Sequence, residues 1–458
     1  MFIKTNLAKF LGKVSYLVLH NIFNGGTSFP GKLAVKIDHN ILEELASDYE
    51  VILVTGTNGK TMTTSIITEA LKEKYGDVLT NPSGSNMLQG IITAFLAHRK
   101  KHSQRKIAVL EVDEAYLKII TTYLKPKVVV LTNIFRDQMD RYGEIYTTYE
   151  KIITGIKNCP DATIVANGDA SIFSSDDLTN QKIFYGFDLN NSDQKTDLLA
   201  PVNTDGVLCA KCHNILHYHE IVYANLGNYF CPKCNFHRPK LKYTVNEIVK
   251  QTPKSLTFKM GTKVYQMAIG GTYNIYNALA AYSVAKEFGL SDDEIARSFS
   301  KNKRIFGRQE LINYSDKEII LILVKNPVGL DSVLNMLNTE NDDYSLITLL
   351  NANHADGIDT SWIWDSNYES LHKENIKHIL VGGLRHQDMH LRLKVAGFDP
   401  KIMETTPTDD ELIDAIPNLP CKKIYILSTY TAMLSLRKKN GRKKNNQCKY
   451  VNLNYRVF

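Results

Sequence analysis

The chain has 458 residues, enough for two to four domains at roughly 100 to 200 residues each. Hydrophobic residues make up 43% and charged residues 22%, which excludes disorder, a collagen-like repeat and a disulfide-held mini-domain. The formal net charge is +7, and basic residues crowd into Arg437–Lys444; the remainder is near balance, so composition does not point to nucleic acid.

The first segment, MFIKTNLAKFLGKVSYLVLHNIF, spreads Lys4, Lys9 and Lys13 among its apolar residues. A secretory signal would gather its charge ahead of one apolar block. The spacing predicts instead a basic amphipathic helix within an N-terminal helical segment, residues 1–50, with Phe2, Leu7, Phe10, Leu11, Val14 and Leu17 near one face. That face is expected to pack against the protein, with peripheral membrane contact as the alternative. No apolar run approaches the ~20 residues of a membrane span, so a cytoplasmic protein is expected.

Val51–Val54 reads as a strand ending in a glycine-rich turn, and a helical pattern follows over Thr61–Tyr75. Strands at Ile107–Val112, Val128–Leu131 and Thr163–Ala166 alternate with helical segments, the pattern of a parallel α/β sheet. Residues 190–245 interrupt it with a polar stretch, and the sheet is expected to resume near Tyr265–Ile269. A second α/β pattern has strands at Ile319–Val324, Ser345–Leu350, Ile376–Val381 and Lys423–Ser428, with Arg304–Glu310 as the hinge. The expected fold is thus α/β: a central domain over 51–310 with an insertion at about 200–240, then a C-terminal Rossmann-like domain over 311–458.

Thr55-Gly56-Thr57-Asn58-Gly59-Lys60-Thr61 joins the first strand to the helix. Phosphates require inward-facing N–H groups at a helix N-terminus, and glycines let the chain approach them closely. Lys60 supplies a point charge for the β/γ-phosphates of ATP and Thr61 a hydroxyl for Mg²⁺. The general GxxxxGK[ST] pattern fails only at its first glycine, where Val54 stands.

TGTNGKT resembles the ATP loop of the Mur ligases and folylpolyglutamate synthases, ATP-dependent amide-forming enzymes that pass through an acyl phosphate. Glu111 in VLEVDEA, Thr132-Asn133-Ile134, Asp137-Gln138-Met139-Asp140, GTYNIYNA (Gly271–Ala278) and Gly307-Arg308 agree with it. The resemblance implies that Gly56, Thr57, Asn58, Gly59, Lys60 and Thr61 bind the nucleotide with Asn274, Asn277 and Arg308. It also implies that Glu111 and Thr61 hold Mg²⁺. Taken alone, Glu111 has the lesser alternative of a solvated strand-end carboxylate, and the two asparagines that of helix caps. Gln138 replaces a metal-binding His of the family, Ile153 stands near its carbamylated lysine, and LVKNPVG (Leu323–Gly329) replaces its DYAHNP segment. A changed C-terminal domain suggests a changed nucleophile.

Cys209-Ala-Lys-Cys212 and Cys231-Pro-Lys-Cys234 have the spacing of a Cys₄ zinc ribbon, whose four thiolates leave no open position for catalysis. A Mur-type central domain with this insertion, FRDQMDRYGE (Phe135–Glu144), KNPVG and ADGIDTSWIW (Ala355–Trp364) resembles the MurT family. Those proteins are synthetase subunits of lipid II isoglutaminyl synthases, heterodimers with the glutaminase GatD. The resemblance implies ATP-dependent amidation of the D-glutamate α-carboxyl of lipid II at the inner face of the membrane. It further implies that Asp359, or Asp356 as runner-up, completes the partner's Cys–His pair. Cys159, Cys421 and Cys448 lack the tight glycine-rich turn of a glutaminase nucleophile, which independently favours a second chain. Asn81, Ser83 and Asn86 are weak candidates for recognising the D-glutamate. The competing readings are a stand-alone Mur or folylpolyglutamate-type ligase and, from another class, a zinc-ribbon nucleic-acid-binding ATPase.

Overall fold

β1 (Glu50–Thr55) is the hub of the central unit, because its β-branched run is buried on both faces. In the computed structural model, which describes residues 2–23, 27–82, 84–98, 105–137, 145–175, 178–189, 196–201, 204–301 and 308–437, helices α1 (Phe2–Phe23), α2 (Phe29–Ile37) and α3 (Ile41–Ala46) precede that strand. The chain continues through α4 (Lys60–Tyr75), β2 (Val78–Thr80), α5 (Leu88–Ala97), β3 (Ile107–Glu111), α6 (Leu117–Tyr123) and β4 (Val128–Leu131). Then come α7 (Ile145–Lys157), β5 (Thr163–Asn167) and β6 (Lys182–Phe187). With β10 (Tyr243–Val245) these strands form a seven-stranded parallel sheet in the order β10-β6-β5-β4-β1-β3-β2. A sheet covered on both sides needs apolar strands throughout, and β3 and β4 are buried at every position.

The sheet resumes earlier than the hydropathy suggested. β10 rejoins it in parallel with β6, whereas β11 (Glu247–Thr252), β12 (Ser255–Met260) and β13 (Lys263–Met267) form a separate antiparallel sheet. Tyr265–Met267 thus belongs to a half-exposed hairpin, whose alternation of buried and outward residues is the mark of antiparallel pairing, and Ile269 lies beyond the strand. Helix α8 (Thr272–Glu287) follows and packs beside α4, and α9 (Asp292–Lys301) closes that side.

Between β6 and β10, β7 (Leu198–Leu199), β8 (His217–Tyr223) and β9 (Leu226–Phe230) form the antiparallel insertion. It has its own small core of Cys209, Leu216, Tyr218, Tyr229, Cys231 and Phe236. Arg238 fastens it to the central unit, donating to Asp169 Oδ1 at 2.9 Å and to the Phe187 carbonyl at 2.6 Å. The other oxygen of the fully buried Asp169 accepts from Tyr276 at 2.7 Å and from the Phe187 N–H at 2.8 Å.

A second sheet begins at β14 (Glu310–Tyr314) and β15 (Lys317–Leu323), followed by α10 (Pro327–Leu337), β16 (Tyr344–Leu349) and β17 (Ile376–Gly382). It ends with α11 (His386–Val395), β18 (Met403–Thr406), α12 (Asp409–Ala415) and β19 (Lys423–Ser428). The order is β14-β15-β19-β16-β17-β18, parallel except for the β14–β15 hairpin, and an apolar core covers each face.

The N-terminal helix departs from expectation. α1 packs through Ala8 and Gly12, and a Cβ on Gly12 would lie 2.6 Å from Leu96 Cδ1. Leu7, Phe10, Val14 and Leu17, the face expected to pack inward, are exposed, and Leu11 is half-buried. The small residues allow the closest backbone approach to α2 and α5, so they take the contact in place of the larger apolar ones. The side chain of Phe2, residues 138–144, Gly307 and the basic run beyond Arg437 lie outside the described residues.

Candidate functional site

Ligands of an open α/β sheet bind beyond the carboxyl ends of its strands. Here β1 ends at Thr55, β3 at Glu111 and β4 at Leu131, and the loops after them converge. Gly56 has φ +128°, and a Cβ there would sit 2.3 Å from Thr132 Oγ1; at Gly59, φ is +86° and a Cβ would meet Asn277 Oδ1 at 2.2 Å. Both positions demand glycine for backbone angle and for space. The Asn58 N–H donates to Asn133 Oδ1 at 2.9 Å, while the Asn58 carbonyl accepts from Thr132 and Asn133. The loop is therefore held in place by Thr132 and Asn133, just beyond the end of β4.

Lys60 opens α4 and is buried. Its ammonium donates to the Gly56 carbonyl at 2.6 Å and to Glu114 Oε2 at 3.1 Å. Burial works against its charge, but the carboxylates of Glu114, Glu111 and Asp113 outweigh burial and hold its pKa above the ordinary lysine value. Burial raises the pKa of Glu114. Thr61 donates to Glu111 Oε2 at 2.8 Å, and Asn86 donates to the other oxygen at 3.3 Å. A hydroxyl and a carboxylate side by side form the hard-oxygen pair that suits Mg²⁺. Asn81 is spent on structure: it bonds the Glu111 carbonyl and N–H, each at 2.9 Å, and so fixes the strand end instead of facing the cavity. Ser83 lies outside the described residues.

Asn274 and Asn277 stand in the first turns of α8. Asn277 donates to Asn274 Oδ1 at 2.9 Å and accepts from Thr63 at 3.2 Å, tying α8 to α4. Both line the cavity wall, as does Arg308, whose pKa burial lowers against the pull of Glu111 and Tyr273. The cavity has a volume of about 350 Å³ and runs from the phosphate loop past Glu111 and Glu114 to Ala355, Asp356 and Tyr430.

Its far wall belongs to the second sheet. Asn326 and Asn58 exchange amide hydrogen bonds at 3.1 and 3.3 Å, and Asn326 also caps α10 through the Gly329 N–H at 2.8 Å. Lys325 pairs with the buried Asp137, and Arg136 with Asp365. Glu114, Asp137, Lys325 and Asn326 escaped the sequence reading as site residues. The KNPVG segment was visible as a departure, but only the fold places it opposite the loop.

The two candidate aspartates have different surroundings. Asp356 is buried and accepts from the Thr431 N–H at 2.7 Å, the Thr431 hydroxyl and the Asn353 N–H at 3.2 Å. Asp359 is exposed; its partners are the N–H and hydroxyl of Ser361, at 2.8 and 2.9 Å, which lower its pKa. Of the two, Asp359 presents its carboxylate outward. Beside it, Ile358 and Trp364 are exposed, whereas Trp362 packs on the core.

Cys209, Cys212, Cys231 and Cys234 converge, with all four sulfurs within 4.8 Å of one another. Cys209–Cys234 and Cys212–Cys231 are 3.6 and 3.4 Å apart. Tetrahedral Zn–S bonds of ~2.3 Å put sulfurs about 3.8 Å apart, so the set fits zinc. Cys421 is buried, and so is Cys159, whose thiol bonds helix carbonyls and is pushed up to about 11 by burial, the opposite of an activated nucleophile. Cys448 lies outside the described residues.

Residues 54–285 match the Mur ligase middle domain and residues 323–433 the MurT ligase C-terminal family. The chain is 45% identical to the lipid II isoglutaminyl synthase (glutamine-hydrolyzing) subunit MurT of Streptococcus pneumoniae, covering 95% of this chain and 97% of that one. It is 34% identical to the subunit of the same name from Staphylococcus aureus, over 86% and 88% of the two chains. Similar solved folds include a pseudomurein peptide ligase type C from Methanothermus fervidus (TM-score 0.65, 19% identity, 89% of this chain and 81% of that one). MurF from Acinetobacter baumannii is another (TM-score 0.61, 15% identity, 91% and 81%). On the sequence identity, the two family matches and the shared fold, the chain belongs to the MurT family of Mur ligase-related synthetase subunits.

Proposed function

We propose that this chain is the synthetase subunit of a two-chain lipid II isoglutaminyl synthase, amidating the D-glutamate α-carboxyl of the stem peptide. The carrying observation is the single cavity that joins the phosphate loop and Glu111 to Asp356, three residues before the exposed Asp359. ATP binds in the loop Gly56–Thr61 with its phosphates at the start of α4, on the N–H groups of Gly59, Lys60 and Thr61, because those of Thr57 and Asn58 are held by Asn133; Asn274, Asn277 and Arg308 support the rest of the nucleotide. Lys60 leaves Glu114 for the γ-phosphate. Thr61 and Glu111 are the residues to hold Mg²⁺, which when bound screens the phosphate charge. The substrate carboxylate attacks the γ-phosphorus, giving acyl phosphate and ADP. Ammonia then attacks the acyl carbon, phosphate leaves, and the nitrogen loses one proton.

Ammonium carries no lone pair for attack at neutral pH, so delivery from a docked glutaminase is advantageous. The C-terminal unit, 311–458, meets that partner, and Asp359 orients its imidazole. The test supplies purified chain with ATP, Mg²⁺ and lipid II. Amidation is expected with ammonium for the lone chain, and with glutamine only when the glutaminase is added. Glutamine-dependent amidation by the lone chain overturns the two-chain reading, and joining of an amino acid in place of ammonia supports a stand-alone ligase.

The cysteine set is proposed to hold one structural zinc. Metal analysis should give one zinc per chain. Cys209→Ser should lose the metal and lower Tm by about 5 °C or more, because binding energy of such a site is folding energy. Full stability after the metal is lost contradicts a structural role.

A further inference from the structure

α1 carries an outward apolar stripe that nothing in the cavity or the sheets accounts for. Ile3, Leu7, Phe10, Val14, Leu17 and Val18 are all exposed, Ile3 by 83% and Phe10 by 63%. At 3.6 residues per turn these six positions fall on one side of the helix. The opposite side is the packed one: Ala8 and Gly12 are buried, Thr5 bonds Asp38 at 2.7 Å, and Lys9 pairs with Glu44 at 3.0 Å. The fold thus fixes the stripe facing away from the protein.

The charges beside it select the occupant. Lys4 and Lys13 are exposed and flank the stripe on its two sides, and residues 2–23 contain no Asp or Glu. An apolar face bordered by lysines and free of carboxylates matches an anionic lipid surface, where the apolar side chains enter the acyl boundary and ammonium groups meet phosphates. No described helix is long and apolar enough to cross a membrane, so α1 lies along the surface. We propose that α1 docks the protein in the plane of an anionic membrane, through Ile3, Leu7, Phe10, Val14, Leu17 and Val18, with Lys4 and Lys13 at the headgroups. The purpose rests on the reading of the substrate as lipid II: docking holds the cavity near a substrate confined to the bilayer and makes the search two-dimensional.

Flotation of the full-length chain with vesicles of phosphatidylcholine plus phosphatidylglycerol, without nucleotide, tests this. Wild type should float, and Phe10→Ser with Leu17→Ser should bind about tenfold more weakly or less, at unchanged Tm because both side chains are exposed. Lys4→Glu with Lys13→Glu should weaken binding by about tenfold. With lipid II in vesicles the serine variant should show a raised KM, while amidation of a water-soluble fragment without the lipid chain stays at the wild-type rate. Absence of wild-type flotation, or equal flotation of wild type and serine variant, overturns the proposal. So does a concentration-dependent dimer of wild type that the same serine substitutions dissolve. Unchanged binding of the glutamate variant overturns the role of the two lysines. Flotation without amidation of either substrate leaves docking standing and removes the functional reading, and amidation without flotation does the reverse.

Discussion

Lys60→Ala is expected to reduce ATP-dependent amidation by about a thousandfold or more, measured as ADP release and as amidated product. Removing one preorganised group from developing charge costs about 10²–10³ in rate, and Lys60 carries a full charge toward the transferring phosphoryl group. The same change has a second consequence. Lys60 is buried and hydrogen-bonded to the buried Glu114, so its loss leaves a carboxyl group with its cation gone. Breaking a buried pair from one side costs about 3–5 kcal/mol. Burial already raises the pKa of Glu114 above its unfolded value. An acid shifted upward carries no penalty below its unfolded pKa and the full penalty above its folded one. The Tm deficit of Lys60→Ala should therefore be larger at pH 8 than at pH 5. Adding Glu114→Gln should recover stability without recovering activity. Recovery of activity as well would show that Lys60 serves only to neutralise Glu114.

Asp359→Asn is expected to abolish glutamine-driven amidation by the two-chain enzyme, by about 10⁴-fold as when a triad aspartate becomes an amide, while ammonium-driven amidation stays within about twofold of wild type. The exposure of Asp359 makes the split interpretable: Asn keeps an oxygen for the Ser361 N–H, and its amide NH₂ can donate to the Ser361 hydroxyl where the second carboxylate oxygen accepted, so Tm should not move. Asp356→Asn should behave differently. Its carboxylate holds the Thr431 N–H and hydroxyl and the Asn353 N–H, so both activities should fall together with Tm. Equal loss of both activities in Asp359→Asn, with Tm unchanged, would contradict the assignment to the partner's imidazole.

Much of this was legible because it is local. A β-branched run followed by TGTNGKT specifies strand, loop and helix within a dozen residues, and the two CxxC pairs specify a four-sulfur cluster by spacing alone. The elements that were missed depend on distant packing. Periodicity places Leu7, Phe10, Val14 and Leu17 on one face of α1, but it does not say which way the face points. The small residues Ala8 and Gly12 decide that by letting α1 approach α2 and α5. Lys263–Met267 is only five residues long, and alternation there is too brief to separate an antiparallel hairpin from a return to the parallel sheet. Glu114 sits three residues after Glu111, yet only burial opposite Lys60 makes it the counterion of the phosphate loop. Likewise Asn326 and Lys325 meet Asn58 and Asp137 across 268 and 188 residues of chain, distances over which spacing carries no information.

The central claim is that this chain uses ATP to phosphorylate a carboxylate that ammonia then attacks. Lipid II carrying ¹⁸O in the D-glutamate α-carboxyl tests it directly, with mass spectrometry of the phosphate released during ammonium-driven turnover. One ¹⁸O per amide formed is expected in inorganic phosphate, because the carboxylate oxygen that attacks the γ-phosphorus departs with it. Amide formation with unlabelled phosphate would contradict the account.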